Sequence, residues 1–300
     1  MTNQDEILSS LRGQIDGIDD ALHDLILQRA ALVARIRDAK GTSDPVYFRP
    51  GREALILRRL LARHDGILPP GVVLRMWREM ISAFVALQGP FAVAVSDGDD
   101  GAYWDIARDH FGSGVPMKRQ ATPHGVVQAV ADGSATVGVV PLPSAGADTP
   151  WWALLGGAAG DVHVCARLPF LSGGNSRGGA LNALVVAACQ PEPSGNDSSF
   201  LVVSCTGTQS RSRLVEALRQ SGFDLRSLFE AGAAASADGG VSCLVEVDGF
   251  CESNDAALAA LAGDCEFISS VRVVGAAAVP PGLRWDGSPA EGGSRKEGGQ

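Results

Sequence analysis

Residues 11–40, LRGQIDGIDDALHDLILQRAALVARIRDAK, decide the fold of the first third of this chain. Apolar residues recur at Leu8, Leu11, Ile15, Ile18, Leu22, Leu25, Leu32, Ile36 and Ala39. The steps alternate between three and four, which is a heptad seam along one helix of about thirty residues. Gly41 follows the last periodic position and supplies a helix stop. A second helical pattern runs from about Gly51 to His64, and a third starts after Pro69-Pro70 and continues to Gln88, where Gly89-Pro90 ends it. A thirty-residue helix spans roughly 45 Å. Two shorter helices cannot cover a seam of that length, so a second copy of the chain is expected to cover it, in a homodimer.

The seam has one break. Arg29 stands between Leu25 and Leu32, a guanidinium on the face that should be buried. Desolvating it without an anionic partner costs several kcal/mol. The ordinary solution is an internal salt bridge, but the neighbourhood favours a bound anion. Lys40 lies eleven residues further on, about 20° around the helix and so on the same face. The third helix presents Val73, Trp77, Ile81 and Phe84 as a stripe, with Gln88 at its next position, and Arg52 and Glu53 open the second helix. Polar groups with an excess of cations, pointing into a helical bundle, describe a small-anion site. Arg12 precedes Arg29 by seventeen residues, roughly 25 Å along a straight helix. Both can grip one small dicarboxylate only if Arg12 comes from the partner subunit.

These residues resemble the all-helical class of chorismate mutases. The resemblance covers residues 11–40, RPGREALILRRL at 49–60, and the third helix ending in ALQ. It implies an intertwined helical dimer with no cofactor and no metal, acting on chorismate. Arg29 and the partner's Arg12 would hold the two carboxylates. Lys40 and Gln88 would donate to the ether oxygen, and Arg52 and Glu53 would complete the pocket near the ring hydroxyl and enolpyruvyl group. The rearrangement is unimolecular, so it needs no nucleophile. It calls for a compact conformer and donors preorganised for the transition-state charge, with arginine forks for the carboxylates. Two positions depart from the family pattern. Phe84 replaces a small hydroxyl residue, and Arg49 stands where an acidic residue can occur.

After Pro90 the texture becomes β/α. FAVAVS (91–96), ATVGVVPL (135–142) and DVHVCARLPF (161–170) read as strands, and YWDIARDHFG as a helix. LSGGNSRGG (171–179) and QPEPSGNDSS (190–199) read as loops. VGVVPLPS (137–144), DVHVCARLPF and LNALVVAAC (181–189) resemble parts of prephenate dehydratase. The catalytic NxTRF motif of that family survives only as Asn182, so no dehydratase activity is expected. From Phe200 the pattern is βαββαβ, a ferredoxin-like unit resembling an ACT-type ligand-sensing domain. The family's effector motifs are not recognisable in it, and an amino-acid effector such as phenylalanine is implied by the resemblance alone. The expected organisation is multidomain. An all-α mutase (1–90) precedes a degenerate α/β dehydratase-like region (91–190), an ACT-like domain (199–280) and a disordered tail (281–300).

The chain has 300 residues, 45% hydrophobic and 20% charged, with a formal net charge of −9. An acidic balance argues against nucleic acid and anionic membranes as partners. No eighteen-residue apolar run exists, and the polar start MTNQDEILSSLRG is not the pattern of a secretory signal, so a cytoplasmic location is expected. Cys165, Cys189, Cys205, Cys243, Cys251 and Cys265 show no CxxC spacing and read as scattered thiols. Asp97-Gly98-Asp99-Asp100-Gly101 lacks the alternation of a calcium loop. Trp151-Trp152 fits core packing better than a contact surface. Two rival readings remain: a working bifunctional mutase–dehydratase, and a non-catalytic helical dimer that binds a metabolite.

Overall fold

The computed structural model describes residues 3–41, 47–98, 101–143, 150–157, 161–172, 181–207, 210–231 and 240–282, with Arg284 and Ala290. Most of the tail 281–300, most of the glycine-rich segment 171–179, and Asp99 and Asp100 lie outside the described residues. The chain forms two compact units: residues 1–47 with 84–90, and residues 48–83 with 91–300.

The first unit is built on one 38-residue helix, α1 (Asn3–Lys40), about 57 Å long. Asp5 and Glu6 lie in its first turn, and Arg37 and Lys40 in its last, each complementing the helix dipole. The heptad seam is present as read. No residue of α1 is buried, and Leu8, Leu11, Ile15, Ile18, Leu22, Leu25, Leu32 and Ile36 are 45–59% exposed. Each would gain on the order of 1 kcal/mol if that remaining surface were covered.

The second unit contains α2 (Pro50–Arg63), most of α3 (Pro70–Ala86) and a nine-stranded sheet. The elements after α3 are β1 (Val93–Ser96), α4 (Ala102–Phe111), β2 (Met117–Gln120), α5 (Pro123–Ala131), β3 (Val137–Pro141), β4 (His163–Leu168) and β5 (Ala183–Ala187). They are followed by β6 (Asp197–Cys205), α6 (Arg211–Gln220), β7 (Leu225–Glu230), β8 (Val241–Asp248), α7 (Ala256–Asp264) and β9 (Ile268–Ala278). The strand order is β2-β1-β3-β5-β4-β9-β6-β8-β7. Its last four strands have the ferredoxin-like order expected of a βαββαβ unit. Strands β1, β2 and β3 are parallel, whereas β5 runs antiparallel to both β3 and β4.

One sheet therefore carries both β segments. They join where β4 meets β9 in parallel at Val164 and Gly275. Gly275 has φ +149°, and a Cβ there would lie 2.1 Å from the Val164 carbonyl oxygen, so only glycine permits the approach. Strand β6 serves two cores by alternation. Phe200 and Val202 pack with Val164, Val186 and the Trp151-Trp152 pair on one face. Leu201, Val203 and Cys205 meet Leu214 and Leu218 of α6 and Leu258 and Leu261 of α7 on the other. Both tryptophans are core residues, 3% and 0% exposed.

Several elements differ from the sequence reading. Strand β2, MKRQ, is short, polar and half-exposed, so it carries no period-2 signal. Helix α5 was missed although its start is conventional: Thr122 caps Gly125 N–H at 3.1 Å and Pro123 follows. Strand β6 begins at Asp197, inside the stretch read as a loop to 199. On α3 the buried residues include Leu74, Arg78, Ile81, Ser82, Phe84 and Val85; Ile81 and Phe84 of the stripe chosen in sequence are among them, whereas Val73 and Trp77 are only half-buried, so the buried arc is wider than that stripe and turned toward Arg78.

Candidate functional site

In the first unit, residues 84–90 lie along the C-terminal part of α1. The Arg29 guanidinium carbon sits 4.6 Å from the centroid of the Phe84 ring, a cation–π stack on a ring 7% exposed. Arg37 donates to the Leu87 carbonyl at 3.3 Å, and the Gln88 side-chain amide donates to the Phe84 carbonyl at 3.0 Å. Gln88 lies just past α3, in a turn where its N–H donates to Val85 O at 2.9 Å. Lys40 closes α1, half-buried. Arg29, Lys40 and Gln88 thus belong to one unit. Arg12 belongs to it too but stands exposed on α1, roughly 25 Å from Arg29 by helical rise. One chain does not bring those two arginines together. The departure at Phe84 has a physical reason, since its ring gives the Arg29 guanidinium a flat surface that a small hydroxyl side chain cannot.

In the second unit Arg52 is exposed in the first turn of α2, and Glu53 points the other way. The structure gives Glu53 a different partner from the one its resemblance implied. Its carboxylate, 7% exposed, accepts from Arg78 at 2.6 Å, and Arg78 is equally buried. Burial pushes the Glu53 carboxyl above its ordinary range, opposed by the Arg78 charge, and burial also lowers Arg78. His110, 8% exposed, is held well below the usual imidazole value by desolvation and the same guanidinium. This is an internal ion pair with a neutral imidazole beside it, a structural cluster. Arg78→Met strands Glu53 without its counter-ion and is expected to cost about 3 kcal/mol, read as a lowered urea midpoint. An unchanged midpoint would refute the structural role. Sequence reasoning missed Arg78 because it lies off the stripe taken as inward-facing, although Leu74, Arg78, Ile81 and Val85 also recur at helical spacing.

The other departure, Arg49, is explained as well. Its Nε donates to Glu192 at 2.9 Å, just before α2 begins. Asn182, the remnant of the dehydratase motif, precedes β5, where its carbonyl accepts from Leu142 N–H at 3.5 Å. Among the described residues no group of three or more His, Cys, Asp or Glu is placed to hold a metal, and no helix is long and apolar enough to cross a membrane. The six cysteines form no disulfide in the structure, and four of them are buried.

A long helix with an exposed apolar seam carries Arg29 and Lys40 on one face, and an α/β sheet follows it. Comparison with known proteins makes the class specific. Residues 11–89 match the family described as chorismate mutase type II, so the N-terminal segment is a domain of that type. The bifunctional chorismate mutase/prephenate dehydratase of Pseudomonas aeruginosa is 36% identical over 148 residues, 47% of this chain and 40% of that protein. The chain thus spans about 40% of the length of the curated relatives it matches. Among solved structures, a chain described as GqqA, a novel type of quorum quenching acylase, superposes with a TM-score of 0.47 at 18% identity. That match covers 63% of this chain and 96% of the other. Prephenate dehydratase from Streptococcus mutans superposes with a TM-score of 0.44 at 12% identity, covering 63% and 98%.

Proposed function

We propose that this protein isomerises chorismate to prephenate in aromatic amino acid biosynthesis, as a cytoplasmic homodimer, without metal or cofactor. The observation that carries the reading is the arrangement on α1. Arg29 and Lys40 share one face near Gln88, while a bare apolar seam and a distant Arg12 both call for a second copy of α1. In the dimer Arg29 and the partner-derived Arg12 hold the substrate carboxylates and fold the enolpyruvyl arm over the ring. Lys40 and Gln88 donate to the ether oxygen, which gains negative charge as its C–O bond breaks and the new C–C bond forms. In the second unit, the Glu53–Arg78 pair fixes α2, which carries Arg52 on its exposed side.

The functional division follows the chain: mutase in 1–90, a dehydratase-like remnant in 91–190, and an ACT-like module in 199–280 that supports the fold. The test follows chorismate disappearance with full-length protein and identifies the product before and after acid treatment. Prephenate that accumulates until acid converts it to phenylpyruvate supports a mutase with a silent C-terminal half. Phenylpyruvate formed without acid would establish the bifunctional activity of the curated relatives. A folded dimer that leaves chorismate untouched would sink the catalytic assignment. Saturating phenylalanine in the same assay tests the effector, which is excluded if neither rate nor melting temperature changes.

A further inference from the structure

Phe84 touches two of the groups assigned to substrate, each with a different part of itself. Its ring, 7% exposed, has the half-buried Arg29 guanidinium over it, with the guanidinium carbon 4.6 Å from the ring centroid. Its backbone carbonyl accepts from the Gln88 side-chain amide at 3.0 Å. Both contacts lie inside the first unit, to which residues 1–47 and 84–90 belong. Arg37 adds a third tie between α1 and this turn, through the Leu87 carbonyl.

The chemistry of a guanidinium explains why a ring suits this place. Its N–H groups lie in the plane, at the edge, where a carboxylate makes a two-pronged contact. An internal carboxylate would stabilise the cation through that same edge and so compete with an anionic ligand. An aromatic ring attracts the cation through its quadrupole, from the face, and does not compete. The ring also restricts a long, flexible side chain, so less freedom is lost when a ligand binds. Gln88 is held in another way. An amide carries two N–H donors, and the bond to the Phe84 carbonyl orients the group with one of them. Changing the Phe84 side chain deletes the ring but keeps that carbonyl.

We propose that Phe84 is a positioning residue for the mutase reaction. Its ring sets the Arg29 guanidinium for a substrate carboxylate, and so governs affinity for the dianionic substrate more than the rate of its rearrangement. The proposal rests on the mutase reading. It turns the departure at residue 84 from a defect into the support of the arginine.

The test uses full-length Phe84→Leu, Phe84→Met and Phe84→Tyr, with Arg29→Lys and the Phe84→Leu/Arg29→Lys double variant. Steady-state kcat and KM for chorismate are measured beside the nuclear magnetic resonance signal of the Arg29 Nε–H, identified by its loss in Arg29→Lys. Phe84→Leu is expected to raise KM about tenfold and to change kcat less than about threefold. Phe84→Tyr, which keeps the ring, should retain a KM near wild type. Lysine is a point charge with no plane to stack, so Phe84→Leu should add little to KM in the Arg29→Lys background. The Nε–H signal should lie upfield in the wild type, shifted by the ring current, and move downfield in Phe84→Leu. Wild-type KM in Phe84→Leu would overturn the proposal. An equal rise in KM with and without Arg29→Lys would overturn it too, because a packing role adds independently of the arginine. If Phe84→Leu does not fold, Phe84→Met decides by the same readings, and Phe84→Tyr as impaired as Phe84→Met overturns the idea. An active wild type without the upfield signal overturns the proposal alone. A wild type that shows the signal and leaves chorismate untouched sinks the mutase reading, and the proposal with it.

Discussion

Lys40→Ala in the full-length protein is expected to lower kcat for chorismate by about 10²–10³-fold, with the dimer and its helix content intact. The ammonium closes α1, in a turn whose residues are half-buried or exposed, so alanine removes no core packing. In the proposed mechanism it removes a donor to the ether oxygen, whose charge grows only as the C–O bond breaks. A group of that kind acts in the transition state, so kcat should fall more than KM rises. Arg12→Ala should behave differently, raising KM through the loss of a carboxylate clamp. Refolding the two impaired variants together should return activity. If the proposed site is shared, one site of the mixed dimer combines an intact Lys40 from one chain with an intact Arg12 from the other. No recovery on mixing would refute a site shared across the dimer, and wild-type kcat in Lys40→Ala would remove that residue from the chemistry.

Gly275→Ala is the change with the largest expected effect on folding. The new methyl would lie 2.1 Å from the Val164 carbonyl oxygen and 2.5 Å from its nitrogen. Both are backbone atoms inside a sheet, with no rotamer to yield. At φ +149° the residue also sits where L side chains are strained. Opening the single β4–β9 pairing removes the link between the two halves of the sheet and exposes Val164, Val274 and Ala277 of the shared core. The expected loss exceeds about 4 kcal/mol, with one cooperative unfolding transition giving way to two. Gly263→Ala on α7, where nothing lies within 4 Å of the new methyl, serves as the control and should be neutral or slightly stabilising. A Gly275→Ala protein with a wild-type midpoint would refute the steric argument.

The long helix was legible because a heptad seam repeats over many turns and leaves little choice of period. Arg29 announced itself as the one break in that seam, and helical rise alone set Arg12 roughly 25 Å from it on the same helix. The ferredoxin-like order was legible too, since each strand and helix of 200–275 has its own local pattern. The continuity of the sheet was not. The pairing of Val164 with Gly275 joins residues more than a hundred positions apart, and no local preference records it. The pairing of Glu53 with Arg78 was not legible for a related reason. An acidic residue in the first turn of a helix looks the same whether it faces substrate or a buried arginine, and Arg78 lay off the chosen stripe. Arg49 and Phe84 looked like departures because their partners, Glu192 and Arg29, could be paired with them only in three dimensions.

The place of β9 in the sheet has a consequence for how the chain is made. Of the nine strands described it is synthesised last, yet it lies between β4 and β6, near the middle. Strands β1 to β5 can pair as they emerge, but β4 then presents an open edge until residue 275 has left the ribosome. β6 does the same on the side that β9 will occupy. Two half-sheets with matching unpaired edges are templates for one another and for neighbouring copies. Nascent or truncated chains ending before Ile268 will therefore associate through these edges, and the final eleven-residue strand acts as the latch that turns two sticky edges into one interior.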